Sequence, residues 1–100
     1  MRRDVFQAIA DPIRREIISL LAKEQMNLNS VADKFEISRP AISKHIKILN
    51  ECGLVKIRQD GRKRFCELCP EKIKEVDDWI DPFKQMWEYR FNNLDKLLTN

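Results

Sequence analysis

The hydrophobic residues of this chain change their spacing twice, and these two changes constrain the fold more than any other feature of the sequence. Up to Cys52 they recur every three or four residues, which is the spacing of one face of an α-helix. Residues 54–59 and 64–68 are instead two β-prone runs, and helical spacing returns after Pro70. The sequence therefore predicts helices, then one β-hairpin, then helices again.

Composition favours the same class of fold. With two glycines and four prolines in 100 residues, the chain has too few turn residues for a many-stranded sandwich or barrel. Hydrophobic residues make up 43% of the chain, which is enough to form the core of one small domain. No run approaches the roughly 18 apolar residues of a membrane span, and no signal-like segment follows Met1, so we expect a cytoplasmic protein.

The pair Asp11-Pro12 marks the boundary between the first two helices. Asp can cap a helix and proline is tolerated at its first position, so a second helix begins here and continues to about Lys23. Upstream, the apolar residues over positions 5–9 predict a short first helix that the Asp-Pro pair ends.

Two further capping residues predict the third and fourth helices. Asn27 caps an amphipathic helix over residues 28–35, and Ser38 caps a helix that ends at Cys52-Gly53. At about 100° per residue, the fourth helix has an apolar inner arc and a polar, mainly cationic outer arc. The outer arc holds Arg39, Pro40, Ser43, Lys44, Lys47 and Glu51.

Asp60-Gly61, between the two β-prone runs, is a strong hairpin signal. Over residues 37–66 the chain carries eight basic residues against the acidic Glu51 and Asp60, an excess typical of a polyanion-binding surface. A solvated charged face is the alternative interpretation. The basic residues are Arg39, Lys44, Lys47, Lys56, Arg58, Arg62, Lys63 and Arg64.

The remaining segment predicts two more helices. Pro70 opens the first, and Asp81-Pro82 repeats the earlier capping pattern, so we expect a break or kink there and a last helix to about Leu98. In that last helix an apolar stripe has the 4-3-4 spacing of a coiled-coil seam. It consists of Trp87, Phe91, Leu94 and Leu98.

Four motifs, in register over about residues 4–69, make the chain resemble the ArsR/SmtB-type bacterial transcriptional repressors. They are residues 6–15 (FQAIADPIRR), 43–49 (SKHIKIL), 53–55 (GLV) and 60–62 (DGR). The segment after residue 70, with Trp79, Trp87 and residues 90–95, is similar to a subgroup of that family without obvious metal ligands.

The resemblance implies a single winged helix-turn-helix domain over residues 1–100, mainly α with a small β-hairpin wing. Residues 1–69 form its core, and residues 70–100 form helices through which two chains dimerise. The implied function is sequence-specific binding of double-stranded operator DNA by a homodimer that occludes a promoter. The fourth helix would enter the major groove, flanked by the wing.

Candidate site residues follow from this implied mode of binding. The candidate DNA contacts, with Arg39 as the main base reader, are Asn29, Ser30, Ser38, Arg39, Pro40, Ser43, Lys44, Lys47, Arg58, Arg62, Lys63 and Arg64. The candidate dimer contacts are Val5, Phe6, Ile9, Phe83, Trp87, Phe91, Leu94 and Leu98. Release through an effector or partner protein, or simple autorepression, are both compatible with the resemblance.

His45 and the three cysteines have structural interpretations that we prefer. His45 falls inside the apolar arc of the fourth helix, which favours a packed, hydrogen-bonded histidine over one that contacts DNA or an effector. Cys66 and Cys69 have the spacing of half a zinc knuckle but no second ligand pair, and Cys52 has no cation clearly placed to activate it. We therefore expect no metal, no cofactor and no disulfide.

Two other function classes remain as alternatives. An enzyme would need a nucleophile-base pair, a phosphate-binding loop or a metal triad, and the sequence shows none. A winged-helix module that binds another protein, rather than a specific DNA sequence, is the second. The basic outer face of residues 39–47 argues against it.

Overall fold

The computed structural model describes residues 3–98, and within them the order of elements agrees with the sequence prediction of helices around one hairpin. In chain order the elements are α1 (Val5–Ala8), α2 (Pro12–Lys23), β1 (Met26–Asn27), α3 (Leu28–Ala32), α4 (Arg39–Glu51), β2 (Val55–Asp60), β3 (Lys63–Leu68), a 3-10 turn at Pro70–Lys72, and α5 (Ile73–Leu98). None of the described helices is both long and apolar enough to cross a membrane.

Side-chain caps begin α2, α3 and α4 at the predicted residues. Asp11 Oδ1 accepts hydrogen bonds from the backbone N–H groups of Ile13 (2.8 Å) and Arg14 (3.1 Å). Asn27 Oδ1 and Ser38 Oγ each accept one from the residue three positions on, at 2.8 and 3.3 Å. These bonds satisfy donors that have no partner inside the helix, so the starts of the helices are encoded locally.

Gly53 ends α4 where the sequence predicts. It has a φ of +81°, a conformation that glycine adopts without strain. The Gly53 N–H donates to the Asn50 carbonyl (3.1 Å), and the Leu54 N–H donates to the Leu49 carbonyl (3.0 Å). This pair of bonds is a Schellman motif, which satisfies the last carbonyls of the helix and turns the chain into β2.

The third helix is shorter than predicted, because α3 ends at Ala32 rather than at Phe35. Beyond it the amides of Lys34 and Phe35 bond carbonyls three residues back, which tightens the chain into a turn before α4. Phe35 nevertheless packs against the core. Phe35 is apolar because it packs against the core, and it continues the helical spacing of apolar residues past the end of α3.

The hairpin is part of a three-stranded antiparallel sheet in the order β1-β3-β2. Asp60 pairs with Lys63 across a two-residue turn in which Gly61 has a φ of +64°, so the predicted hairpin is confirmed. Strand β1 was not predicted, because two residues are too few to form a pattern. Its pairing of Asn27 with Phe65 ties the start of α3 to the hairpin.

The core lies between the inner face of α4, the neighbouring helices and the sheet. Ile42, Ile46 and Leu49 of α4 are buried, as the helical spacing predicts. They pack in one cluster with Ile17 of α2 and Cys66 of β3, among others. Because this inner face is anchored, the opposite face of α4 has to point to solvent.

Helix α5 runs through Pro82 without interruption, so the expected division into two helices is wrong. Proline removes one backbone donor, which leaves the Asp78 carbonyl without its helical partner, but both residues are exposed and water can replace that bond. The described chain has a radius of gyration of 18.0 Å. A compact chain of this size has about 13 Å, so α5 extends away from the core.

Candidate nucleic-acid interface

The outer face of α4 presents the predicted DNA contacts to solvent. Arg39, Pro40, Ser43, Lys44 and Lys47 are all exposed, as is the capping residue Ser38 immediately before them. They lie opposite the buried isoleucines and leucine of the same helix. A helix anchored in this way can enter the major groove with its N-terminal half towards the bases.

The register of the hairpin separates its basic residues onto two faces. Side chains alternate along a strand, so Arg64 shares a face with the buried Cys66 two residues later, which packs in the helical core. Lys63 and Arg58 lie on the outer face with Phe65, which pairs with Arg58. Of these three cations, the sheet directs Arg64 towards α4.

Arg64 and Leu28 line two adjoining clefts that bring the predicted contacts together. The first cleft, of about 290 Å³, lies between the start of α3 and the hairpin, and the second, of about 350 Å³, lies between α4 and the hairpin. The predicted DNA contacts along these clefts are Asn29, Ser30, Ser43, Lys47, Arg62, Lys63 and Arg64. Helix α3, helix α4 and the hairpin therefore form one continuous surface on which these polar and cationic side chains lie.

Arg39, the predicted base reader, is held by residues of the preceding helix and turn. Its Nη1 donates to Asn29 Oδ1 at 3.0 Å, and its Nη2 lies 3.5 Å from Asp33 Oδ1. Asp33 was not identified from the sequence. The sequence shows only that an acidic residue lies in the turn between α3 and α4. Which cation this residue contacts depends on how the two helices cross.

Arg58 is engaged within the hairpin itself. Its guanidinium carbon lies 5.2 Å from the centre of the Phe65 ring, and its Nη1 is 3.8 Å from Asp60 Oδ2. These contacts hold the side chain along the outer face of the sheet. Arg58 thus remains a predicted phosphate contact on the far side of the wing from α4.

His45 has the structural environment that the sequence favours. It is partly buried, and its Nδ1 lies 3.4 Å from Arg14 Nη1 and 4.0 Å from Asp11 Oδ1. Arg14 also donates to the carbonyls of Gln7 (3.0 Å) and Ala8 (2.9 Å). The histidine is therefore part of a polar cluster that joins the end of α1 to α4.

The groups around Asp11 in this cluster favour its ionised form. Burial alone would raise the pKa of the Asp11 carboxyl, but backbone N–H donors from Arg14 and Ile13 and the nearby His45 together lower that pKa below its ordinary value. Asp11 is therefore ionised when it caps α2.

Two of the three cysteines lie in surroundings that make them poor nucleophiles. Cys52 and Cys66 are buried free thiols, and burial raises the pKa of both. A raised pKa keeps a thiol protonated and unreactive at neutral pH. Within residues 3–98, no three His, Cys, Asp or Glu side chains are grouped so that they could hold a metal ion.

Comparisons with known proteins agree with this geometry. Residues 11–56 match the family model described as bacterial regulatory protein, arsR family. The chain is 33% identical over 79 residues to an HTH-type transcriptional regulator of Methanocaldococcus jannaschii, covering 78% of this chain and 89% of that protein. It is 32% identical over 77 residues to the transcriptional repressor SdpR of Bacillus subtilis, covering 77% and 86% respectively.

Among solved structures, an ArsR family transcriptional regulator superposes with a TM-score of 0.74 at 31% identity, covering 83% of this chain and 91% of that one. The fold and the basic outer face of α4 thus define a DNA-binding transcriptional regulator with a winged helix-turn-helix, which is not an enzymatic class. The chain belongs to the ArsR family.

Proposed function

We propose that this regulator is a homodimeric repressor that binds a pseudo-palindromic operator and blocks a promoter. One observation carries the DNA-reading part of the proposal, namely the exposed outer face of α4 that continues into the two clefts lined by Arg64. The relative SdpR is a transcriptional repressor, which supports repression over activation.

In this proposal the N-terminal half of α4 reads bases and its surroundings hold phosphates. Arg39, Ser43 and Lys44 face the base edges of the major groove, where an arginine can donate two hydrogen bonds to a guanine. Lys47, Arg62, Lys63 and Arg64 lie on the cleft walls and fix the register of the helix through the phosphates.

The exposed face of α5 supports dimerisation. Phe6 of α1 packs edge to face on Trp79, with ring centres 5.8 Å apart, and Trp79 lies 5.3 Å from Phe83. The apolar surface continues along the helix, where Trp87, Phe91, Leu94 and Leu98 are all more than half exposed. A two-fold dimer would bury this surface from both chains.

Two of the predicted dimer contacts differ from the rest in their position. Val5 is buried in the core of its own chain, and Ile9 packs partly against that core. Neither presents the exposed area of the α5 residues. The proposed interface therefore depends on Phe6 and on the apolar face of α5 rather than on Val5 or Ile9.

The proposal is tested by selecting bound duplexes from a randomised DNA pool with the purified protein. The expected product is a pseudo-palindrome whose half-sites are one helical turn, about 34 Å, or a multiple of it apart. A reporter gene behind that site should be repressed when the protein is expressed. Recovery of no preferred sequence would instead favour the alternative of a module that binds another protein.

Phosphate contacts predict a change in salt dependence. Replacing any one of Lys47, Arg62, Lys63 or Arg64 with Ala should weaken binding to operator and random duplexes alike, because each variant loses one contact that neutralises a phosphate. The plot of log K against log salt concentration should flatten by about one unit per variant. Lys96→Ala, on α5, is the matched control, and an unchanged slope in all four variants would contradict the proposed interface.

Arg39 predicts a loss of sequence discrimination. Arg39→Ala should cost about 1–3 kcal/mol of binding free energy on the operator and relax the preference at one base pair in each half-site. Arg39→Lys keeps the charge but not the paired donors, so it should lose discrimination while retaining binding to random DNA. Equal losses on operator and random DNA in Arg39→Ala would show that Arg39 contacts only phosphate.

A further inference from the structure

We propose that Asp33 is a specificity-determining residue, which acts by holding Arg39 in the orientation that reads a base and by reducing its attraction to phosphates. Asp33 follows the last residue of α3, and its carboxylate lies 3.5 Å from Arg39 Nη2 across the turn. Asn29, one turn earlier, accepts from Arg39 Nη1 at 3.0 Å. The guanidinium is thus held on both terminal nitrogens before any DNA is present.

This arrangement leaves Arg39 able to read a base. A guanidinium has five N–H donors. The hydrogen bond to Asn29 engages one of them on Nη1, and the Asp33 carboxylate lies at ion-pair distance from Nη2 and takes up at most one more. At least three donors remain, and recognition of a guanine edge needs two. Arg39 can therefore contact a base while Asp33 and Asn29 keep their hold, and less side-chain entropy is lost on binding because the orientation already exists.

The same contacts oppose binding to phosphates. An arginine without a partner is attracted to every phosphate it passes, which strengthens binding to all sequences equally. To bind a phosphate, Arg39 would have to give up its contact with the Asp33 carboxylate. It would exchange one exposed anion for another, so little binding free energy would be gained. Asp33 can distinguish sequences in this way only if Arg39 reads a base, as proposed above.

The exposure of the pair makes this role possible. The side chains of Arg39 and Asp33 are 63% and 69% exposed, and an ion pair this exposed contributes little to folding stability. A carboxylate on the face that approaches DNA is unfavourable for general affinity. Its contact with Arg39 provides a compensating benefit in discrimination.

The test compares Asp33→Asn with the wild type on the selected operator and on random duplexes of the same length. Asp33→Asn should tighten binding to random DNA by about three- to fivefold, the ratio that corresponds to loss of an exposed ion pair. Operator affinity should stay the same or fall, so the operator-to-random ratio should fall by about threefold or more. On random DNA the salt slope should steepen by about one unit.

Glu36→Gln is the matched charge control, because Glu36 lies in the same exposed turn and makes no ion pair with the described cations. Removing its charge should shift operator and random affinities together and leave their ratio unchanged. If Glu36→Gln lowers the ratio as much as Asp33→Asn does, the effect is general electrostatics and the proposal for Asp33 is wrong.

A double-variant cycle shows whether Asp33 acts through Arg39. In an Arg39→Ala background, Asp33→Asn should leave the operator-to-random ratio unchanged, and a fall there would overturn the proposal. A wild type that shows no preference for the operator would remove the proposed function itself. A wild type that prefers the operator, with a ratio that Asp33→Asn does not lower, would remove only the role of Asp33.

Discussion

Leu94→Glu should convert the protein to a monomer and lower its operator affinity by at least about a hundredfold, although Leu94 lies far along α5 from the reading face of α4. Leu94 is 51% exposed in the single chain and sits within the apolar face of α5. A carboxylate buried in a paired interface would lose its hydration without gaining a partner. We therefore expect this change to destabilise the proposed dimer strongly.

The loss of operator affinity follows from the loss of linkage between two half-sites. One chain supplies a single α4 and a few phosphate contacts, which bind one half-site weakly. In a dimer, the second half-site is bound intramolecularly at high effective concentration, which raises affinity by a factor of about 10² to 10⁴. A monomer binds each half-site independently and loses that factor.

Sedimentation of the wild type and of Leu94→Glu, with DNA titrations of both, measures this effect. Asn92→Glu is the matched control, since about 100° per residue places Asn92 on the opposite side of α5 from Leu94. The control should remain dimeric and bind the operator normally. A wild type that sediments as a monomer, or a monomeric variant with wild-type operator affinity, would contradict the dimer proposal.

Leu49→Ala should lower the free energy of unfolding by about 2–5 kcal/mol, a large part of the about 5–15 kcal/mol that stabilises a domain of this size. The Leu49 side chain is fully buried, and its carbonyl accepts from Leu54 where α4 meets β2. Truncating it opens a cavity at the junction of the reading helix and the wing.

Urea unfolding followed by circular dichroism measures this loss. Lys44→Ala, on the exposed side of the same helix, should change the free energy of unfolding by no more than about 0.5 kcal/mol. A loss for Leu49→Ala as small as that of the control would show that α4 is not anchored through its inner face.

Local interactions explain the features that could be predicted. The starts of α2, α3 and α4 depend on side-chain oxygens that bond amides two or three residues away, so Asp11, Asn27 and Ser38 encode them directly. Gly53 and Gly61 encode the end of α4 and the hairpin turn through their positive φ angles. The division of α4 into buried and exposed faces follows from its helical period.

The features that could not be predicted depend on residues distant in the sequence or on exposure to water. Strand β1 exists because β3, some forty residues later, pairs with it. Helix α5 passes through Pro82 because that part of the helix is exposed, and water can satisfy the Asp78 carbonyl. Neither condition is visible in the residues around the element itself.

The same division applies to the proposed interface. Residue types and their spacing, read from the sequence, identified a cationic helix face and a basic hairpin, because charge and period are properties of the chain alone. Only the tertiary structure decided that Arg64 faces α4, that Arg58 lies on the opposite face of the wing and that Asp33 and Asn29 hold Arg39. Strand register and helix crossing set those contacts, and both are fixed by packing of the shared core.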